Sequence, residues 1–263
     1  MALAALVACR ESPGEPTGSD GIPGFTLVGD PASSSGATWT YVAQESPIAY
    51  DLQGILLKPA GAGPFPAVII SHGTGSNAGD YSRDVARVMV GWGLVCIATN
   101  YTFAGGVPIG APGTSSEAGA TPNNVRRARR LVDILHALGY VDMNRVALHG
   151  HSAGAFVTEV TAAAHNDLFR TASHTAGGMA SDESRFPPTE SEIADIRAPY
   201  QIHHGDRDFT VPLVADELFA AALRRRGVAN ELVTHPGAGH DDVRLDSGVL
   251  DLIRAWYRSK GVL

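Results

Sequence analysis

The chain has 263 residues, 44% of them hydrophobic and 18% charged, with 30 glycines and 16 prolines, which favours one large turn-rich globular domain. Wholesale disorder, collagen and a long coiled coil are excluded. With 20 basic and 27 acidic residues the formal charge is −7, which offers no electrostatic basis for holding nucleic acid or an anionic membrane.

The opening MALAALVAC is apolar, and Leu6-Val7-Ala8-Cys9 resembles the lipobox of bacterial lipoproteins, where the cysteine is acylated after cleavage. Arg10 to Ser35 is dense in Pro, Gly, Ser, Asp and Glu and reads as a flexible tether. Residues 1–37 are therefore expected to be a signal-like segment with a tether, and 38–263 a single domain. An exported protein with a lipid anchor at Cys9 fits this arrangement. A cytoplasmic protein is the alternative, because no Lys or Arg precedes Cys9 and the segment is short for a signal peptide. No other apolar run reaches the roughly 18 residues that span a bilayer.

Ordered structure is expected from Thr38. Thr38–Ala43 and Leu52–Lys58 read as strands, followed by the short, β-branched run Ala67–Ser71, which suits a sheet covered on both faces. Tyr81–Val90 has a helical pattern, Leu94–Thr99 reads as a strand and Asn123–Leu138 as an amphipathic helix. Cys96 falls inside that apolar strand, which predicts an inert core thiol. Val146–His149 is the next strand and Ala153–Ala164 a helix of small residues. Thr171–Ala176, Pro199–His203 and Glu231–Thr234 read as later strands, with Val211–Arg226 and Val243–Tyr257 as helices. The alternation predicts an α/β fold, a mostly parallel sheet with helices on both faces. Tyr101–Thr121 reads as a long functional loop, and Thr189–Ile196 as a short helix. Trp92 and Trp256 read as core residues on helix faces.

The segment Gly150-His151-Ser152-Ala153-Gly154 lies between a buried-looking strand and a helix. Glycines two residues either side of a serine permit a tight turn that lifts its hydroxyl clear of the sheet edge. A serine nucleophile needs a base within reach and a carboxylate that fixes the base's tautomer. His240, in Gly239-His240-Asp241-Asp242, is the expected base. Asp206 and Asp208 compete for the acid's role, and His203 and His204 are weaker bases, one expected to line the crevice and the other to pack. Asp241 and Asp242 are expected to cap the final helix. The oxyanion donors are expected to be the backbone N–H groups of Ala153 and of Thr74, on the loop after His72-Gly73. His72, Gly73 and His151 border this turn as candidate substrate contacts. Tyr101, Phe103 and Val107 either line the acyl side of the crevice or pack their loop onto the scaffold.

These motifs resemble the α/β-hydrolases, in particular the esterase branch similar to dienelactone hydrolases and cutinases, without an inserted cap. His204-Gly205 and Val211-Pro212 match a pattern of that superfamily, HGxxDxxVP, which puts the acid at Asp208. The resemblance implies a serine hydrolase with the triad Ser152, Asp208 and His240. Two departures bear on substrate. Dienelactone hydrolases use cysteine where this chain has Ser152, which favours ordinary carboxylic esters. Polyester-degrading relatives usually have Met where this chain has Ala153. The expectation is hydrolysis of small or medium acyl esters by a monomer or dimer through an acyl-enzyme. A polyester hydrolase, an acylaminopeptidase-like peptidase and a non-catalytic binding protein are the alternatives.

No nicotinamide or flavin fingerprint is present, and no cofactor is expected. No metal is expected either: His149 and His151 are expected on different faces, His203 and His204 are adjacent, and no H-E-x-x-H motif occurs.

Overall fold

The structure is a computed structural model and describes residues 22–45, 48–106, 118–180 and 187–263. Cys9 with its lipobox-like surroundings and Val107 lie outside the described residues. Among those described, nine strands form one sheet: β1 (Phe25–Val28), β2 (Ala37–Glu45), β3 (Ile48–Leu57), β4 (Phe65–Ser71), β5 (Val95–Thr99), β6 (Val141–His151), β7 (Thr171–Thr175), β8 (Tyr200–Gly205) and β9 (Asn230–His235). They lie in the order β1-β2-β3-β5-β4-β6-β7-β8-β9. The first three strands and the β3–β5 pair are antiparallel, and every pairing from β5 through β9 is parallel.

Alternation along the central strands divides the core in two. In β4, Ala67 and Ile69 face one core and Val68 and Ile70 the other, as a two-residue period requires. The first core is closed by α2 (Pro122–Ala137), α3 (Ala153–Ala164) and α4 (Val214–Arg225), through residues such as Leu131, Ala162 and Phe219. The second is closed by α1 (Arg83–Val90) and α5 (Ser247–Ser259), through Val85, Met89, Val249 and Ile253. The larger of these side chains, Leu, Val, Ile, Met and Phe, each contribute about 1.5–3 kcal/mol by leaving water. Cys96, in β5, is fully buried, and burial pushes its thiol well above the usual range. No helix of the described residues is long and apolar enough to cross a membrane.

Several boundaries differ from expectation. Order begins before Thr38: Phe25–Val28, inside the expected tether, pairs with Thr38–Tyr41 and stacks Phe25 on the buried Trp39 at 5.8 Å. One aromatic in a Pro- and Gly-rich stretch anchored a strand that composition concealed. Thr189–Ile196 forms turns rather than a helix. A π-helical turn, Ala78–Ser82, precedes α1. The last helix starts at Ser247 because Asp246 accepts a hydrogen bond from the Val249 N–H. Asp241 and Asp242 are not its caps; Asp242 instead accepts from the Gly239 N–H at 2.7 Å. Trp256 is a partly buried residue of α5, whereas Trp92 lies in the turn after α1.

Candidate active site

Ser152 joins β6 to α3 with φ 56° and ψ −127°, a left-handed conformation that a side chain resists. Close packing fixes this turn. A Cβ on Gly150 would stand 2.3 Å from the Gly154 carbonyl oxygen, and one on Gly154 would stand 2.2 Å from that of Ser71. Both elbow positions therefore admit only glycine. The Ser152 N–H donates to the Thr175 carbonyl at the end of β7, which seats the serine at the carboxyl edge of the sheet.

Asp208 and His240 arrive on the loops after β8 and β9. A Cβ on Gly205 would lie 2.2 Å from the Ala238 carbonyl oxygen, so the two loops touch backbone to backbone. The Arg207 N–H donates to Ala238 at 2.9 Å, and Asp206 accepts from the Gly237 N–H at 2.7 Å. Asp206 thus ties the base's loop to the acid's. It is Asp208 that receives His240 Nδ1–H, at 2.6 Å, and the other ring nitrogen, Nε2, lies 2.9 Å from Ser152 Oγ. In this arrangement Nε2 is free to accept the serine proton.

Asp208 Oδ1 accepts from the Thr210 and Val211 N–H groups, both at 2.8 Å. Burial alone would raise its pKa, but hydrogen bonds from His204, His240 and Val211 prevail and hold the carboxyl well below its ordinary range.

His204 does not line the crevice. Its Nδ1 lies 2.6 Å from Asp216 Oδ2, and its Nε2 lies 2.8 Å from the Val211 carbonyl and 3.4 Å from Asp208 Oδ2. Burial opposes its charge, yet Asp208 and Asp216 lift its pKa to about 10. Asp216 Oδ1 in turn meets His174 Nε2 at 2.8 Å, and His174 Nδ1 meets Glu159 Oε1 at 3.0 Å. Glu159, His174 and Asp216 bring ligand atoms within 4.8 Å of one another, the geometry of a metal trio. Both nitrogens of His174 are already engaged, Nε2 by Asp216 and Nδ1 by the Tyr200 hydroxyl at 3.1 Å as well as by Glu159, which makes the trio part of a packed polar cluster. Only Glu159 Oε2 lacks a partner in it. Neighbouring His203 bonds His235 Nε2 at 3.0 Å, and burial lowers its pKa to about 3.

Sequence reasoning missed Asp216, His174 and Glu159. A signal existed for the first: Asp216 is three and four residues before Phe219 and Ala220, and so falls on the buried face of α4.

The loop after β4 lies against the serine. A Cβ on Gly73 would approach Ser152 Cβ to 3.1 Å, and Thr74 follows it, exposed. Ala153 opens α3, where the first N–H groups have no partner within a helix. His72 and Tyr101, expected to meet substrate, are fully buried. His72 Nδ1 donates to the Gly73 carbonyl at 3.0 Å and its Nε2 accepts from the Tyr101 N–H at 3.1 Å, while burial lowers its pKa to about 4. Tyr101 OH bonds Ser71 Oγ at 2.8 Å, and Phe103, buried as well, stacks on the Tyr101 ring at 5.5 Å. These aromatics pack the loop onto the scaffold. His151 is nearly covered, its ring 5.0 Å from that of His240. Residues two apart on a strand share a face, so His149 and His151 do not diverge as expected. Tyr81 OH bonds His149 Nε2 at 3.1 Å while its ring lies 5.5 Å from that of His151.

A mostly parallel sheet clothed by helices on both faces, with a serine raised on a strand-to-helix turn at its carboxyl edge, is the α/β-hydrolase architecture. The model of the dienelactone hydrolase family matches residues 52–244, and the chain belongs to that family of hydrolases. Among solved structures it is similar to an S-formylglutathione hydrolase from Agrobacterium tumefaciens, with 18% identity over 89% of this chain and 99% of that one, at a TM-score of 0.66. It is also similar to esterase 2 from Thermogutta terrifontis, with 20% identity over 85% of this chain and 94% of that one, at a TM-score of 0.64.

Proposed function

We propose that the protein is a serine carboxylesterase that cleaves small or medium acyl esters through an acyl-enzyme. The observation that carries this reading is the unbroken line from Ser152 Oγ through His240 to Asp208, with contacts of 2.9 and 2.6 Å. Ser152 attacks the ester carbonyl as His240 Nε2 takes its proton; the same histidine protonates the departing alcohol and then activates the water that releases the acid. Asp208 keeps Nδ1 protonated throughout. The N–H groups of Thr74 and Ala153 are the donors we assign to the developing oxyanion, each contributing about 3 kcal/mol to the transition state. Export and acylation at Cys9 belong to the same proposal as the setting of the enzyme.

The test is hydrolysis of p-nitrophenyl esters of increasing acyl length by the wild type and by Ser152→Ala. Activity on the short esters that falls by about 10⁴–10⁶-fold in the variant is the expected result. Activity that survives the substitution sinks the reading. Thermogutta terrifontis esterase 2 has been phosphorylated by paraoxon. The same reagent is expected to label this protein once, at Ser152, as read by peptide mass spectrometry.

A further inference from the structure

Behind the Ser152–His240–Asp208 line the ionisable chain continues through His204, Asp216, His174 and Glu159, all fully buried. The geometry constrains where the protons sit. His204 Nε2 faces the Val211 carbonyl, which only accepts, so Nε2 carries a proton; Nδ1 faces Asp216 Oδ2 at 2.6 Å. Asp216 is itself bracketed by a second ring, since His174 Nε2 reaches its other oxygen at 2.8 Å. An ionised Asp216 that accepts an N–H from each ring satisfies both of its contacts, and His204, donating at both nitrogens, is then a cation. The depressed pKa of Asp216, which His174 and His204 bring about against its burial, has the same sign.

We infer that His204, clamped as a cation between Asp208 and Asp216, is a positioning residue of the catalytic line that anchors the acid and weakens the hold of His240 on a proton. Its positive charge lies 3.4 Å from the oxygen of Asp208 that also receives His240, at 2.6 Å. A cation there competes with protonated His240 for one carboxylate oxygen, which favours the neutral, basic form of His240. Among the described residues, the other charged and titratable groups about the pair are His174 on β7, Glu159 on α3, and Tyr200 and His203 on β8. On the side of His240 they are His151, Asp241 and Arg244. This inference rests on the catalytic reading above.

Nitrogen-15 spectra of the histidine rings test it without reference to any substrate. In the wild type, His204 is expected to show two protonated ring nitrogens from about pH 7.5 to 8.5, a range in which a free imidazole would have lost one. In His204→Gln, which keeps a donor but removes the charge, the midpoint of His240 is expected to rise by about one pH unit. The acid limb of kcat/KM should rise with it, while kcat above the limb returns towards the wild-type value. A role in packing alone would lower activity evenly at all pH and leave the midpoint in place. A singly protonated His204 near neutral pH overturns the inference, as does an unmoved His240 midpoint in the folded variant. Should His204→Gln not fold, the wild-type ring nitrogens decide. Activity that persists in Ser152→Ala removes the catalytic reading instead, and the His240 midpoint still reports the coupling.

Discussion

At Ser152 the backbone adopts a conformation that costs a serine of order 1–3 kcal/mol, and the neighbouring glycines let the surrounding chain enforce it. Gly154→Ala would press a methyl group 2.2 Å from the Ser71 carbonyl oxygen and 2.5 Å from that of His72, neither of which is a side chain able to turn aside. The expected outcome is a loss of about 1–3 kcal/mol in urea unfolding, with esterase activity lost as the elbow shifts. Phe209 is the opposite case. Its ring is 93% exposed one residue beyond the acid, so Phe209→Ala should change stability by no more than about 0.5 kcal/mol. Thermal melts check that, and a KM that rises only for longer acyl chains would mark the ring as a substrate contact.

At the scale of the element, each catalytic candidate depends on a secondary-structure end. The serine stands between β6 and α3, the acid follows β8, and the base follows β9. Their loops meet because Gly205 leaves room for the Ala238 carbonyl. The α4 helix contributes from behind, through Asp216. Asp216→Asn would leave the rings of His174 and His204 buried without their shared anion, and is expected to lower stability by about 3–5 kcal/mol in chemical denaturation. By contrast, Asp246→Ala removes only the N-cap of α5 and should cost about 1 kcal/mol in the same assay.

Across the whole molecule, buried histidines of two kinds oppose one another in pH. His174 and His204, lifted to about 9 and about 10 by their carboxylates against burial, contribute stability that is complete below 6.5 and fades as pH rises through those values. Glu159, raised to about 7 by burial, has the same sign and fades as pH climbs from 4.5 past 7. His72, His149 and His203, lowered by burial to about 4, about 3 and about 3, contribute above 6.5 and lose that contribution as pH falls towards those values. Thermal stability should therefore be greatest between about pH 6 and 7 and decline on both sides. Calorimetry across that range checks it; a melting temperature that kept rising to pH 9.5 would contradict the cationic assignment of His174 and His204.

The local order of residues was enough to define the alternation of strand and helix, because periods of two and 3.6 are written into each short stretch. It also located the elbow, since Gly150, Ser152 and Gly154 follow a buried strand and open a helix. Periodicity gave no trace of β1, whose four residues acquire meaning only against β2. Asp208 was ranked above Asp206 by its match to the HGxxDxxVP pattern, but the physical reason, that the distant His240 reaches Asp208, lies in the tertiary structure. The adjacent His203 and His204 make the same point about charge. Burial lowers the pKa of one to about 3, while carboxylate partners raise that of the other to about 10. A histidine's charge depends on the dielectric and partners around it, and those of His204 come from α4, 12 residues on, and through Asp216 from β7, 42 residues before that helix position. The sequence supplied the imidazoles; burial and the partners assembled by the fold decided which of them would be charged.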